Sequence, residues 1–239
     1  MAAVNGVRLH YALYGRGEPL ILLHGGSGQG DHWALQIPAF MTRYQVLTID
    51  SRGHGRSTLG TEPLSYRQMA DDLVALMDQL QISKASIVGW SDGGIIGLDL
   101  AIRHPERLVR LVAFGANYRT DGARAEPLDS PTGPAWAELS TREYAALSPT
   151  PDKFDAFRQA LGAMYANQPN YSDAQLRAIH TPTLISAGYY DEYYELDHTI
   201  AMARLIPGAQ LAILPNASHF GIWQVPQVFN QMVLDFLAQ

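Results

Sequence analysis

The sequence predicts an α/β fold, a mostly parallel sheet with helices on both faces and a small helical cap, and three observations carry that expectation. Short apolar runs of strand length alternate with runs whose apolar residues recur at helical spacing. Such alternation demands crossover connections, which cover both faces of a parallel sheet with helices. The rhythm stops between residues 117 and 180, so a core is expected at 1–116 and 181–239 with the cap inserted at 117–180. Finally, a serine stands between an apolar run and a helical one, in Ile87-Val-Gly-Trp-Ser-Asp-Gly-Gly94. A length of 239 residues suits one such domain with an insertion, and a hydrophobic share of 47% is enough for a large core.

Residues 7–14 alternate as a strand, and Gly15-Arg-Gly17 closes them as a turn. Residues 20–23 are continuously apolar, a buried strand entering the glycine-rich His24-Gly-Gly-Ser-Gly28. Residues 33–41 read as a short helix, and 44–49 as a strand ending at Asp50. Between Ser65 and Leu80, apolar Tyr66, Met69, Leu73, Leu76 and Met77 keep a helical period, with Ser65 as the N-cap. Residues 85–88 form a strand, Ile95, Ile96, Leu98, Leu100 and Ala101 continue as a helix, and 108–114 return to strand. Within the insert, 119–134 are rich in Gly, Pro, Ala and charge, while 141–147 and 152–165 look helical. Its Trp136, Tyr144, Phe154, Phe157, Met164 and Tyr165 favour a packed cap over a structureless loop. A strand at 182–188, a helix at 195–205, a strand at 210–214 and a last helix at 225–237 complete the pattern.

Composition excludes several function classes. A net charge of −6 argues against a nucleic-acid footprint. The chain has no cysteine, which excludes disulfides, thiol catalysis and thiolate metal sites. No apolar run reaches transmembrane length, and no basic segment followed by an apolar one opens the chain, so a cytoplasmic protein without a membrane partner is expected. No H-E-x-x-H pair is present, so neither a metal nor another cofactor is called for.

Gly89-Trp-Ser91-Asp-Gly93 fits the sharp strand-to-helix turn of the G-x-S-x-G motif, whose flanks must lack bulk. The alternative for the pentapeptide alone is an ordinary glycine-rich turn. A serine hydroxyl is a poor nucleophile until a base takes its proton, and the base needs a carboxylate to orient it. In an open parallel sheet, chemistry collects in loops at the carboxyl ends of strands. Of eight histidines, His219 follows the last predicted strand and precedes the final helix, which makes it the candidate base rather than a structural histidine. The candidate carboxylate is Asp191, after the strand at 182–188; the other possible position, after Phe114, holds Gly115-Ala-Asn117 and no acid. Glu192, Glu195 and Asp197 follow closely, and the alternative is a solvated helix start of four acids. The resulting order is Ser, Asp, His. The oxyanion hole would use the backbone N–H of Asp92 and that of Gly26, with Ser27 second. The Asp92 side chain is expected to turn away and cap the helix start, or else to bond within the cap. Ser27, Trp90 and Trp136 are the side chains expected against substrate.

Taken together, Leu22-Leu-His24-Gly-Gly26, Asp50-Ser-Arg52-Gly-His54-Gly-Arg-Ser57, Gly89-Trp-Ser91-Asp-Gly-Gly94, Gly188-Tyr-Tyr-Asp191 and Ser218-His219-Phe220 resemble the α/β-hydrolase superfamily over nearly the whole chain. The chain is similar to its bacterial esterase, enol-lactonase and carbon–carbon-hydrolase groups. The resemblance implies an α/β-hydrolase fold with an eight-stranded sheet, and makes Arg52 and His54 scaffold. It implies a cofactor-independent serine hydrolase acting on a small-molecule ester or lactone. A carbon–carbon hydrolase of ring-cleavage products, which would recruit cap cations such as Arg119, Arg124, Arg142 or Arg158, is the alternative. A ligand receptor that keeps the fold for binding is a third.

Overall fold

A computed structural model describes residues 1–239. The chain opens with an antiparallel ribbon of β1 (Ala2–Val4) and β2 (Val7–Leu9). β3 (Tyr11–Gly15), β4 (Glu18–Leu23), the one-turn helix α1 (Ile37–Phe40) and β5 (Tyr44–Ile49) follow. Next come α2 (Tyr66–Gln79), β6 (Ala85–Trp90), α3 (Asp92–Arg103) and β7 (Leu108–Phe114). Between β7 and β8 lie only helices: α4 (Thr132–Leu147), α5 (Phe154–Tyr165) and α6 (Asp173–Arg177), with short 3₁₀ turns. β8 (Thr183–Gly188), α7 (Leu196–Leu205), β9 (Gln210–Leu214), α8 (Gly221–Gln224) and α9 (Pro226–Leu237) close the chain. No helix is long and apolar enough to cross a membrane.

The main sheet runs β3-β5-β4-β6-β7-β8-β9. β3 pairs antiparallel with β5, and every other pairing is parallel. Strand periodicity divides the core between the faces. Ile21, Leu23, Ile87, Leu111 and Ile185 pack on the face of α2, α3 and α7. Leu20, Leu22, Val88, Val112 and Leu184 point the other way, toward Trp33, Phe40 and α9. Truncating one such leucine to alanine costs about 2–5 kcal/mol. β4 sits between β5 and β6, so the chain winds in opposite directions from it. The crevice at such a reversal, beyond the carboxyl ends of the two strands, is where an open α/β sheet has room for a ligand.

Several elements differ from the sequence expectation. The main sheet has seven strands rather than eight, because β1 and β2 form their own ribbon. The strand expected at 7–14 breaks at His10, whose N–H goes to the Ser57 hydroxyl and whose carbonyl accepts from the Asp50 N–H. Those bonds take His10 out of either ladder. The helix expected at 33–41 is a 3₁₀ turn (Gly30–Trp33) followed by the single turn α1, with Pro38 at its start. α4 begins at Thr132, inside the Gly- and Pro-rich stretch, and α6 and α8 were not expected. α6 has a local signature all the same: Ser172 and Gln175 form a reciprocal capping box. Ser65 caps α2 as expected, accepting from the Gln68 N–H.

Candidate active site

Ser91 sits between β6 and α3 with φ 55° and ψ −120°, a conformation that costs a non-glycine residue about 1–3 kcal/mol. The surroundings over-determine it. The Ser91 N–H donates to the Phe114 carbonyl at 2.8 Å, and its own carbonyl accepts from Gly94 and Ile95. α3 starts hard against the end of β4: a Cβ on Gly93 would lie 2.0 Å from the Leu23 carbonyl oxygen. Only glycine permits that approach.

His219 lies in the loop between β9 and α8, and Asp191 lies just past β8. The His219 Nδ1 and Asp191 Oδ2 are 2.9 Å apart, both buried. With Nδ1–H given to the carboxylate, Nε2 is left as the free acceptor. Asp191 Oδ1 accepts from the Tyr193 and Tyr194 amides at 2.9 and 3.0 Å. Burial pushes the Asp191 carboxyl up, but the His219 ring and the two amides outweigh it and hold it below the usual carboxylate range. The His219 backbone is fixed as well. Its N–H donates to Glu192 Oε2 at 2.9 Å, and its carbonyl accepts from the Trp90 indole at 2.8 Å. Gly115, at the other strand end where an acid could stand, has φ 59°, and a Cβ there would crowd His219 Nδ1 at 3.0 Å. That position is left bare to admit the Asp191–His219 pair.

The amides of Gly26 and Asp92 have no partner within the chain. The Asp92 side chain corrects the expectation of a helix cap. It makes no cap bond; its Oδ1 accepts from the Tyr66 hydroxyl and its Oδ2 from the Tyr165 hydroxyl, each at 2.9 Å. Tyr165 ends α5, so the second alternative, a bond to the inserted segment, is the one found. Burial raises the Asp92 carboxyl to about 6, against the pull of both hydroxyls and of His219.

Ser91, His219, Gly26, Ser27, Trp90, Asp92 and Trp136 all border one cavity of about 480 Å³, and Asp191 stands behind His219. Trp90, Trp136, Trp223 and Phe220 form an aromatic cluster along one wall. α4 is tied down there by Glu143, whose carboxylate meets His32 Nε2 at 2.7 Å. Of Arg119, Arg124, Arg142 and Arg158, the second and the last border the cavity. Arg124 is committed to Glu195 and to the Asp191 carbonyl, whereas Arg158 meets only the Phe154 ring. Arg119 pairs with Asp121 and Asp173 outside it. Arg52 is buried against Asp72, the His24 ring accepts the Ser51 amide, and burial lowers His24 to about 4 and His54 to about 3. No cluster of three or more His, Asp or Glu side chains is placed to hold a metal ion.

Nothing in the sequence marks the contacts that Glu192, Tyr66, Tyr165, Tyr193 and Tyr194 make around Ser91 and His219. Glu192 stands among the acids of a helix start, where nothing local separates it from Glu195. The tyrosines come from distant elements and carry no motif.

The profile of the alpha/beta hydrolase fold family matches residues 18–156. RutD of Caulobacter sp., named as a candidate carbamate hydrolase, is 34% identical over 92% of this chain and 91% of its own. The 2-hydroxymuconate semialdehyde hydrolase of a Pseudomonas species is 31% identical over 98% of this chain and 92% of its own. Among solved structures, the enol-lactonase of Burkholderia xenovorans superposes with a TM-score of 0.80 at 27% identity, covering 100% of this chain and 99% of that one.

Proposed function

The protein belongs to the α/β-hydrolase family and is a hydrolase, and within that family we propose that it is a cofactor-independent serine hydrolase of small carboxylic esters or lactones. The observation that carries this reading is the strained Ser91 at the sheet crevice, bordering one cavity with a histidine whose other ring nitrogen is engaged by a buried carboxylate. In this reading His219 Nε2 takes the Ser91 proton as Oγ attacks the carbonyl carbon, and Asp191 stabilises the imidazolium that forms. The developing oxyanion is received by the Gly26 and Asp92 amides, at the N-terminus of α3. The leaving oxygen takes the proton from His219. Water then repeats the sequence on the acyl-enzyme. Residues 117–180 act as a cap that roofs the acyl pocket with Trp136 and Leu161, while Trp90 and Ser27 meet the substrate from the core.

A carbon–carbon hydrolase is the second reading. It is favoured by Arg158, a cavity-bordering cation with no ion-pair partner, and by the semialdehyde hydrolase among the relatives.

One panel tests both: p-nitrophenyl esters from acetate to palmitate, a lactone and a ring-cleavage dienone, each with wild type and Ser91→Ala. The expected result is a kcat/KM that peaks at about two to six acyl carbons, each buried methylene adding up to ~0.8 kcal/mol until the pocket is full. Ser91→Ala should lose at least ~10³-fold. A steady rise to palmitate would refute the closed pocket, near-wild-type turnover by Ser91→Ala would refute the serine mechanism, and turnover of the dienone alone would select the second reading.

A further inference from the structure

Asp191 is followed by a second buried acid, and the two neighbours hold opposite ends of one histidine. Asp191 Oδ2 meets the His219 ring at Nδ1, while Glu192 Oε2 accepts the His219 backbone N–H at 2.9 Å. The other oxygen of Glu192 faces the insert. Oε1 accepts from the Ser130 hydroxyl at 2.9 Å and from the Thr132 hydroxyl at 2.7 Å, and Thr132 is the first residue of α4. One carboxylate thus joins the backbone of His219 to the start of the helix that brings Trp136 and Ser140 to the cavity wall. Burial works against its charge, but the Thr132 hydroxyl, the His219 amide and the Ser130 hydroxyl outweigh it and hold the carboxyl below the usual range. Glu192, Ser130 and Thr132 themselves do not border the cavity.

The same two segments are laced together along the chain. The Leu128 N–H donates to the Glu192 carbonyl at 3.1 Å, the Arg124 N–H to the Tyr193 carbonyl at 2.8 Å, and the Glu195 N–H to the Gly122 carbonyl at 3.0 Å. The arm of the insert that leads into α4 is therefore strapped to the loop that carries Asp191. Within the chain, the His219 amide has Glu192 as its acceptor and no other. A buried amide stripped of its acceptor is costly, so the loop at 215–220 would shift to find another and carry the ring with it.

We propose that Glu192 is a positioning residue that couples the cap to the base: it keeps His219 Nε2 in line with Ser91, and does so only while Ser130 and Thr132 hold its other oxygen. This rests on the serine-hydrolase reading above, in which His219 takes the Ser91 proton and returns it to the leaving oxygen. Glu192 exchanges no proton and touches no substrate. It decides where the imidazole stands, and a displacement of about 1 Å at a reacting group is enough to cost ~10²-fold. An α4 drawn away from the acyl pocket takes the base out of line, so the machinery is complete only under a docked cap.

The test measures kcat and KM on p-nitrophenyl butyrate, per folded chain, for Glu192→Met, Glu192→Gln and the double variant Ser130→Ala/Thr132→Val, each made in wild type and in His219→Ala. Methionine keeps the length and removes both acceptors. Glutamine keeps an oxygen for the His219 amide and gains an amide that donates to the hydroxyl oxygens. Glu192→Met should lower kcat by about 10- to 100-fold with KM within roughly twofold, and Glu192→Gln should recover most of that loss. The double variant leaves Glu192 in place and should lower kcat by about 3- to 10-fold. In His219→Ala none of the three should lower the residual rate further, because residues that act through one group do not add. A merely structural role would give the same losses with and without His219. Losses that persist in His219→Ala, an equal loss in the glutamine variant, or full kcat in the double variant would each overturn the proposal. Should Glu192→Met fail to fold, the double variant carries the same comparison. A His219→Ala protein as active as wild type would instead overturn the serine-hydrolase reading.

Discussion

Replacing Asp92 by asparagine should make the protein more stable at pH 8 and leave it nearly unchanged at pH 4. The carboxyl is 4% exposed, and burial raises it from an ordinary 3.8 to about 6. A carboxyl that holds its proton more tightly when folded adds stability below its unfolded value. That contribution is lost as pH rises from about 4 through about 6 and is gone at pH 7 and above. A shift of roughly two units corresponds to about 3 kcal/mol by pH 8. Asparagine keeps the shape, carries no charge, and meets both hydroxyls: its carbonyl oxygen accepts from one tyrosine and its amide donates to the other's oxygen. Imperfect geometry takes back part of the gain, so ~1–3 kcal/mol is expected, or about 2–4 °C of Tm per kcal/mol for a chain of this size. Urea unfolding followed by fluorescence of the four tryptophans, at pH 4 and pH 8, reads the difference directly. A variant that is less stable than wild type at pH 8, with an unchanged pH dependence, would show that Asp92 is not a buried charge under strain.

Three further outcomes concern Gly93 and Asp191. Gly93→Ala places a methyl 2.0 Å from the Leu23 carbonyl, so it should cost at least ~3 kcal/mol or abolish folding; a Tm within 2 °C of wild type, to within roughly 1 kcal/mol, would contradict the close approach. Asp191→Asn should lower ester turnover by ~10³- to 10⁴-fold by leaving the imidazole without its orienting charge. Because the Asp191 carboxyl is held below the usual range, its contribution to stability is present at neutral pH and lost as pH falls through the folded value. The stability gap between wild type and Asp191→Asn should therefore close in acid, and a gap that widens there would reverse the assignment.

Much of this architecture is written locally. The apolar runs at 20–23 in β4 and 111–114 in β7 are continuous because both faces are buried there, and the elbow is marked by the small residues around Ser91. The rule that loops at strand ends carry the chemistry singles out Asp191 and His219, and the structure places the two side chains 2.9 Å apart. What escaped is non-local. The break at His10 depends on Asp50 and Ser57, some forty residues downstream, and no periodicity within 7–14 signals it. The early start of α4 at Thr132 overrides an unfavourable composition through packing of Trp136 against the core aromatics. The embrace of Asp92 by Tyr66 and Tyr165, and the bond from His219 to Glu192, join elements far apart in the chain. Single-sequence spacing carries no trace of such pairings.

Ser91 is the proposed nucleophile, and covalent labelling tests that role most directly. The protein is incubated with diethyl p-nitrophenyl phosphate, nitrophenolate release is counted, and the modified peptide is located by mass spectrometry. The expected result is one phosphoryl group per chain on Ser91, with p-nitrophenyl butyrate hydrolysis lost in proportion and no label on Ser91→Ala. Hydrolysis that persists with Ser91 fully labelled, or inactivation with Ser91 unmodified, would contradict it.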